Sequence, residues 1–228
     1  MKDGKIVSET ANIVQDLKKT RGCPVCNHIG ESVLNFFSSW VYHLAEKEEA
    51  QRENARKRGL CPFHTWQLIS IGSPLGISKG YSGLIREIAA QLAENPAGGA
   101  EAAWIIGNLM NSSRNCRVCL LERKEETRYI SRLASFLKTE ENRKKYNASD
   151  GLCLRHLQSV VMEVKDADLV RFLIRHAADT FTAIAVEMEN YCRKRANSQK
   201  DLLTKNEKSA YLRGIIHAVG SRQMAGPF

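Results

Sequence analysis

Eight side chains in this 228-residue sequence have the types and spacing to hold metal ions. Cys23 and Cys26 stand in G-C-P-V-C, and Cys61 and His64 in G-L-C-P-F-H. The order returns with Cys116 and Cys119 in N-C-R-V-C, and with Cys153 and His156 in G-L-C-L-R-H. Each C-x2-C is followed by a C-x2-H, after 34 intervening residues the first time and 33 the second. Two cysteines separated by two residues can turn both thiolates onto one ion. A Cys and a His three apart at a helix start lie almost one turn apart and face one point. The helix start also favours a thiolate through its positive dipole end. The spacing predicts two Cys3His sites, one in each half of the chain: Cys23, Cys26, Cys61 and His64, then Cys116, Cys119, Cys153 and His156.

Three thiolates and one imidazole suit tetrahedral zinc at about 2.0–2.3 Å, one ion per site. A 4Fe–4S cluster, which usually takes four thiolates, is the alternative. Four protein ligands leave no open position, so both sites read as structural rather than catalytic. Buried cysteines at helix contacts would have no reason to be twinned with a histidine. Cys23-Pro24-Val25-Cys26 looks like a thioredoxin-type dithiol, but the βαβ context is missing. His28 is a rival to His64 as a ligand. Leu121 stands at its matching place in the second half, which favours His64. His43, His176 and His217 read as packing or surface residues. Cys192, ahead of Arg193-Lys194-Arg195, reads as small core filler, the alternative being a thiol activated by those cations. Arg117 and Arg155 occupy motif positions where the first half has Pro24 and Phe63, and are candidates to screen the thiolates.

The elements that must position these residues are helical. Ile13, Val14 and Leu17 mark a first helix over 8–19, with Ser8 as N-cap and Thr20-Arg21-Gly22 as its stop. A tight knuckle over 23–26 is followed by a helix over 30–58. Its apolar stripe is Val33, Phe37, Trp40 and Leu44, and its charged end stops at Gly59. Pro62 places Cys61 at an N-cap. Gly72-Ser73-Pro74 ends that helix, and Ile77, Tyr81, Leu84, Ile88 and Leu92 mark another. Asn95-Pro96-Ala97-Gly98-Gly99 divides the halves. In the second half, Trp104, Ile105 and Leu109 mark a helix over 101–110. Ile130, Leu133 and Leu137 mark the next. Leu169, Leu173, Ala177, Ile184 and Met188 stripe a long helix over 166–195. A loose linker over 193–207 and a short helix over 211–219 complete the chain. No segment alternates like a strand. The expected fold is all-α, a pseudo-duplicated helical array with repeats over 1–97 and 98–196 and a linker and C-terminal helix over 197–228.

Composition bounds the rest. At 43% apolar residues the chain can bury a core. Met1-Lys2-Asp3-Gly4-Lys5 leads into a polar stretch rather than a signal sequence, and no run of about 18 apolar residues spans a membrane. A cytoplasmic location, with reduced thiols, is therefore expected. The formal charge of +9 admits nucleic acid, anionic lipid or an acidic partner without selecting one. A zinc held by three thiolates is net negative, and part of the basic excess offsets that. Basic clusters at Arg52/Arg56/Lys57/Arg58, Arg143/Lys144/Lys145 and Arg193/Lys194/Arg195 read as separate solvated patches, with no aromatic interleaving.

With both motifs quoted, the sequence resembles an uncharacterised prokaryotic family that carries C-P-x-C followed by G-x-C-x2-H in helical surroundings, often in tandem. The likeness covers residues 20–190, and the second knuckle lacks the proline. It implies metal binding and helices, and no activity. The expected function is an accessory or protein-interaction module with two zinc ions. An iron–sulfur redox or sensor protein is the alternative, and a metalloenzyme or nucleic-acid binder a further one. No H-E-x2-H or paired-carboxylate pattern supplies a catalytic residue.

Overall fold

The computed structural model of the chain describes residues 13–18, 22–94, 98–112 and 114–221. The expected N-cap Ser8, the stop at Thr20-Arg21 and the break at Asn95-Pro96-Ala97 lie outside the described residues. Among the described residues the protein is all-α, without a strand. Residues 13–18 are helical and bury Ile13 and Leu17. The helices that follow are α1 (Pro24–Glu46), α2 (Glu48–Arg56), α3 (Pro62–Ile71), α4 (Pro74–Glu94) and α5 (Gly99–Leu109). Then come α6 (Arg117–Phe136), α7 (Glu140–Asn147), α8 (Leu154–Glu163), α9 (Ala167–Ala196) and α10 (Lys205–Val219).

The chain folds as two compact units. A central unit is drawn from Gly30–Lys124, and a terminal unit from Met1–Ile29 with Glu125–Gln223. The division falls within α1 and α6, away from the break at 95–99.

In the central unit, the stripe Val33, Phe37, Trp40 and Leu44 is buried along α1, as its spacing requires. Each such side chain contributes about 2 kcal/mol through removal from water. Lys47, in an extended conformation, separates α1 from α2. The charged run then forms a solvated helix, with Glu48 and Glu49 at the dipole's positive end. Ion pairs one turn apart join Glu48 to Arg52 and Glu53 to Lys57. Helix α4 lies close because it presents glycine: a Cβ at Gly80 would stand 2.9 Å from Leu44. Buried Asn54 of α2 donates to the Gly80 carbonyl at 3.0 Å.

In the terminal unit, Leu133 and Leu137 are fully buried, as are Leu169, Leu173 and Ile184 of α9. Asp166 caps α9 by accepting from the Asp168 and Leu169 amides. Helices α9 and α10 pack together, and ion pairs join Lys194 to Glu207 and Arg213 to Glu187. The expected loose linker is therefore corrected. A 3-10 turn covers Lys200–Leu202, and Thr204 and Glu207 form a capping box that starts α10 at Lys205.

Candidate metal centres

All four ligand pairs sit at helix starts. Cys61 and Cys153 are the N-caps of α3 and α8, with extended backbones (φ −64°, ψ 161° and φ −70°, ψ 162°). His64 and His156 follow one turn in. The C-x2-C pairs occupy the same register. Cys23 and Cys116 immediately precede α1 and α6, and their carbonyls accept from Asn27 (3.1 Å) and Leu120 (2.9 Å). The expected knuckle over 23–26 is thus the first turn of a helix rather than a separate loop. Pro24 and Pro62 stand at first-turn positions, where a missing N–H costs nothing. Leu60 and Leu152, just ahead of the C-x2-H pairs, are buried. They follow Gly59 and Gly151, whose φ values of +69° and +75° suit glycine.

The eight residues gather into two tetrads, and the tetrads cross the sequence halves. Cys23 and Cys26 meet Cys153 and His156 in the terminal unit, whereas Cys61 and His64 meet Cys116 and Cys119 in the central unit. Within each tetrad all donor atoms lie within 4.8 Å of one another. The expectation that each half closes its own site is overturned. Loop contacts supply the physical reason. The Asp150 carboxylate, ahead of Cys153, accepts from the Gly22 amide at 2.7 Å, ahead of Cys23. The Asn111 amide, ahead of Cys116, donates to the carbonyls of Lys57 (3.0 Å) and Gly59 (2.6 Å), ahead of Cys61. Each contact ties together the entries of two helices from different halves, and the helix starts follow.

Every donor points inward. His156 Nδ1 lies 3.2–3.4 Å from the sulfurs of Cys153, Cys23 and Cys26. His64 Nδ1 lies 3.3–3.5 Å from those of Cys61, Cys119 and Cys116. The sulfur pairs Cys26–Cys153 and Cys61–Cys119 are 3.8 and 3.7 Å apart. Seven of the eight candidate ligands are buried, and Cys119 is at the margin.

The outer ring nitrogens reveal two residues that sequence reading missed. His64 Nε2 lies 3.2 Å from Glu122 Oε1, and His156 Nε2 lies 3.1 Å from Glu126 Oε1. A carboxylate there holds the Nε2–H tautomer and turns the Nδ1 lone pair toward the sulfurs. Both carboxylates come from α6, three and seven positions after Cys119. The matching places in α1 hold Ile29 and Val33, so the two halves differ here. Arg155 grips both oxygens of Glu126 at 2.9 and 3.0 Å. Arg117 pairs with Glu53 and stacks over Trp40, 4.4 Å from the ring centroid. The two arginines that stand inside the second motif therefore act on carboxylates rather than on the thiolates.

The electrostatics describe a donor set that asks for a cation. Burial works against a charged His64, yet Cys116 and Glu122 raise it to about 10. Burial likewise opposes charge on His156, and Cys153 and Cys26 raise it to about 9. Burial and the neighbouring sulfurs push Cys23 well up, while hydrogen bonds from Cys153 and Cys23 pull Cys26 down. Burial resists ionisation of Cys116, but His64 and nearby backbone amides bring it to about 6. Cys119 is raised by burial and by Cys116 and Cys61. So many thiols this close cannot all ionise without a positive charge between them. Both tetrads have the donors, burial and outer-nitrogen support to hold a metal ion.

The remaining candidates lie apart from the tetrads. His28 Nε2 lies 3.3 Å from Glu125, and its ring packs on Tyr129, so it is not a member of either donor set. His43 is half-buried beside Tyr42. His176 and His217 are buried. Cys192 is exposed, which corrects its reading as core filler.

Fold and site define an all-helical protein with two buried Cys/His clusters able to take metal ions. The chain belongs to the Family of unknown function (DUF6062), whose profile matches residues 9–225, in keeping with the family resemblance of its motifs. No curated protein and no solved structure matches the chain. No described helix is long and apolar enough to cross a membrane.

Proposed function

We propose that each tetrad holds one zinc ion as a closed structural site, and that the helical surface so fixed serves as an accessory module that binds another protein. The observation that carries the zinc reading is the orientation of both histidines, Nδ1 on three sulfurs and Nε2 on a carboxylate. Spacing supports it too. Ligands of a tetrahedral zinc with sulfur at about 2.3 Å have sulfur–sulfur edges of about 3.8 Å, close to those found here. A 4Fe–4S cluster places its own cube of iron and sulfide between the ligands and spreads the thiolates further. Cys23, Cys26, Cys153 and His156 would hold one ion, and Cys61, His64, Cys116 and Cys119 the other. When bound, the ion supplies charge neutralisation and a covalent tie between helix starts distant in sequence, so its affinity becomes folding free energy. With four protein donors per ion, no position is left for substrate. On this reading residues 1–97 and 98–196 are two copies of one helical unit that exchange their C-x2-H segments.

Elemental analysis of anaerobically purified protein tests the metal. Two zinc per chain is the expected result. A brown sample with iron and sulfide overturns zinc in favour of a cluster. The partner-binding role is supported by α10, where Tyr211, Leu212, Ile215 and Val219 form an exposed apolar stripe at helical spacing. A photo-crosslinking residue placed at 215 should capture a discrete protein in cells. Labelling no stronger there than at exposed Lys208 contradicts that role.

A further inference from the structure

The central unit also carries a basic groove that the metal centres do not use. Helices α2 and α4 line it, and it encloses about 650 Å³. Arg52 and Arg56 reach it from α2, Lys79 and Arg86 from α4, and Arg58 from the turn after α2. Among the described residues, only Glu48 and Glu87 oppose them along its lining, and Glu48 is already paired with Arg52. Lys79 donates to the Ala45 carbonyl at 2.9 Å. Arg56, Arg58 and Arg86 form no ion pair among the described residues.

Arg58 is the informative residue. Its φ of +57° is a left-handed conformation that costs any residue with a Cβ, and glycine would fit there without strain. The chain nevertheless holds an arginine at this turn. Arg58 lines two further cavities as well. One, of about 610 Å³, also takes Arg56, Lys57 and Asn111, and no carboxylate lines it among the described residues. The other, of about 390 Å³, takes Gln91 and Trp104. Trp104 is 71% exposed, as is Trp66, but Trp66 lines none of these cavities. In the sequence Trp104 stands far from the basic run at 52–58, and only the fold brings it beside Arg58.

Unpaired guanidinium groups along a groove, with a flat exposed ring beside one of them, match a phosphate attached to a base. An acidic peptide would satisfy the cations and leave the indole without a stacking partner. We propose that this groove binds a nucleotide unit, free or within a single strand. Arg56, Arg58 and Arg86 engage the phosphate, and Trp104 stacks on the base. The proposal does not rest on the zinc reading, and the zinc content of Arg58→Gly checks that the flanking Lys57 and Gly59 carbonyls still hold Asn111.

Anisotropy of a fluorescein-labelled oligothymidylate of about 12 nucleotides, titrated with the full chain as purified, tests it. Binding should weaken by about tenfold or more between roughly 50 and 200 mM salt. Arg58→Gly is the diagnostic variant, because it removes the guanidinium and relieves the backbone at once. It should weaken binding by about fivefold or more with helicity and thermal midpoint preserved or raised. Arg86→Gln and Trp104→Ala should weaken binding to a similar extent, and Lys144→Gln in the terminal unit should not. Competition by thymidine monophosphate assigns the groove to a free nucleotide, and competition by unlabelled strand alone assigns it to single-stranded nucleic acid. Inorganic phosphate competing as well as either overturns the stacking role and with it the proposal. So does an absence of binding at low salt, or binding that the Arg58→Gly/Arg86→Gln double variant retains.

Discussion

The sulfurs of Cys26 and Cys153 lie 3.8 Å apart although 127 positions separate them in the chain. Cys61 and Cys119 stand in the same relationship at 3.7 Å, 58 positions apart. Each tetrad therefore joins the C-x2-C of one half to the C-x2-H of the other. The loop contacts Gly22–Asp150 and Asn111–Gly59 bring the helix starts together, and the ligands occupy those starts. In the terminal unit, a bound metal ion would couple the first turn of α1 to a residue past the middle of the chain. That tetrad cannot form before residue 156 is available.

The carboxylates on the outer ring nitrogens should tune metal affinity. Glu122→Gln should weaken zinc at the central tetrad, and Glu126→Gln at the terminal one, each by about 10–100-fold in chelator competition. Glu126→Gln also strips Arg155 of its bidentate partner. Unchanged affinity in both variants would mean that the glutamates do not orient the histidines.

Two glycine replacements should act in opposite directions. Gly151 has φ +75°, and a Cβ there would stand 2.7 Å from the His176 ring. Gly151→Ala should cost about 1–3 kcal/mol and lower the thermal midpoint. Gly30 lies inside α1, and a Cβ added there would meet no neighbour within 4 Å, so Gly30→Ala should stabilise by about 0.5–1 kcal/mol. Destabilisation by both would contradict the open surroundings of Gly30, and stabilisation by both would contradict the strained turn at Gly151.

Burial holds the His176 imidazole below its ordinary value. The folded state thus prefers the neutral ring, while the unfolded chain takes up a proton at about pH 6.5. The contribution is present above that pH and is lost as pH falls through the depressed folded value. Between about pH 7.5 and 5.5 the thermal midpoint of the parent should fall relative to that of His176→Gln. An identical pH profile in that variant would remove His176 from the account.

The eight candidate ligands are legible in the sequence because the chemistry repeats with its spacing. Their pairing is not. A C-x2-C sees a C-x2-H at either distance with equal plausibility, and the deciding contacts, such as Asp150 to Gly22, join residues with no shared pattern. The helices are readable from apolar stripes such as Val33, Phe37, Trp40 and Leu44. The start of α10 is also encoded, in the T-x-x-E of Thr204 and Glu207, but the polar residues around it resemble a linker. Glu122 and Glu126 have a signal too, since positions three and seven after Cys119 share its helix face. In a run as charged as 122–128 that face resembles solvent. Cys192 reads wrongly as core because an amphipathic stripe fixes which residues are buried only once the partner helix is known.

Zinc content of paired serine variants tests the crossed ligation most directly. Cys26→Ser/Cys153→Ser should disable a single tetrad and retain one zinc per chain, and Cys26→Ser/Cys61→Ser should disable both and retain none. The reverse result, none in the first variant and one in the second, would place each site within its own half and contradict the account.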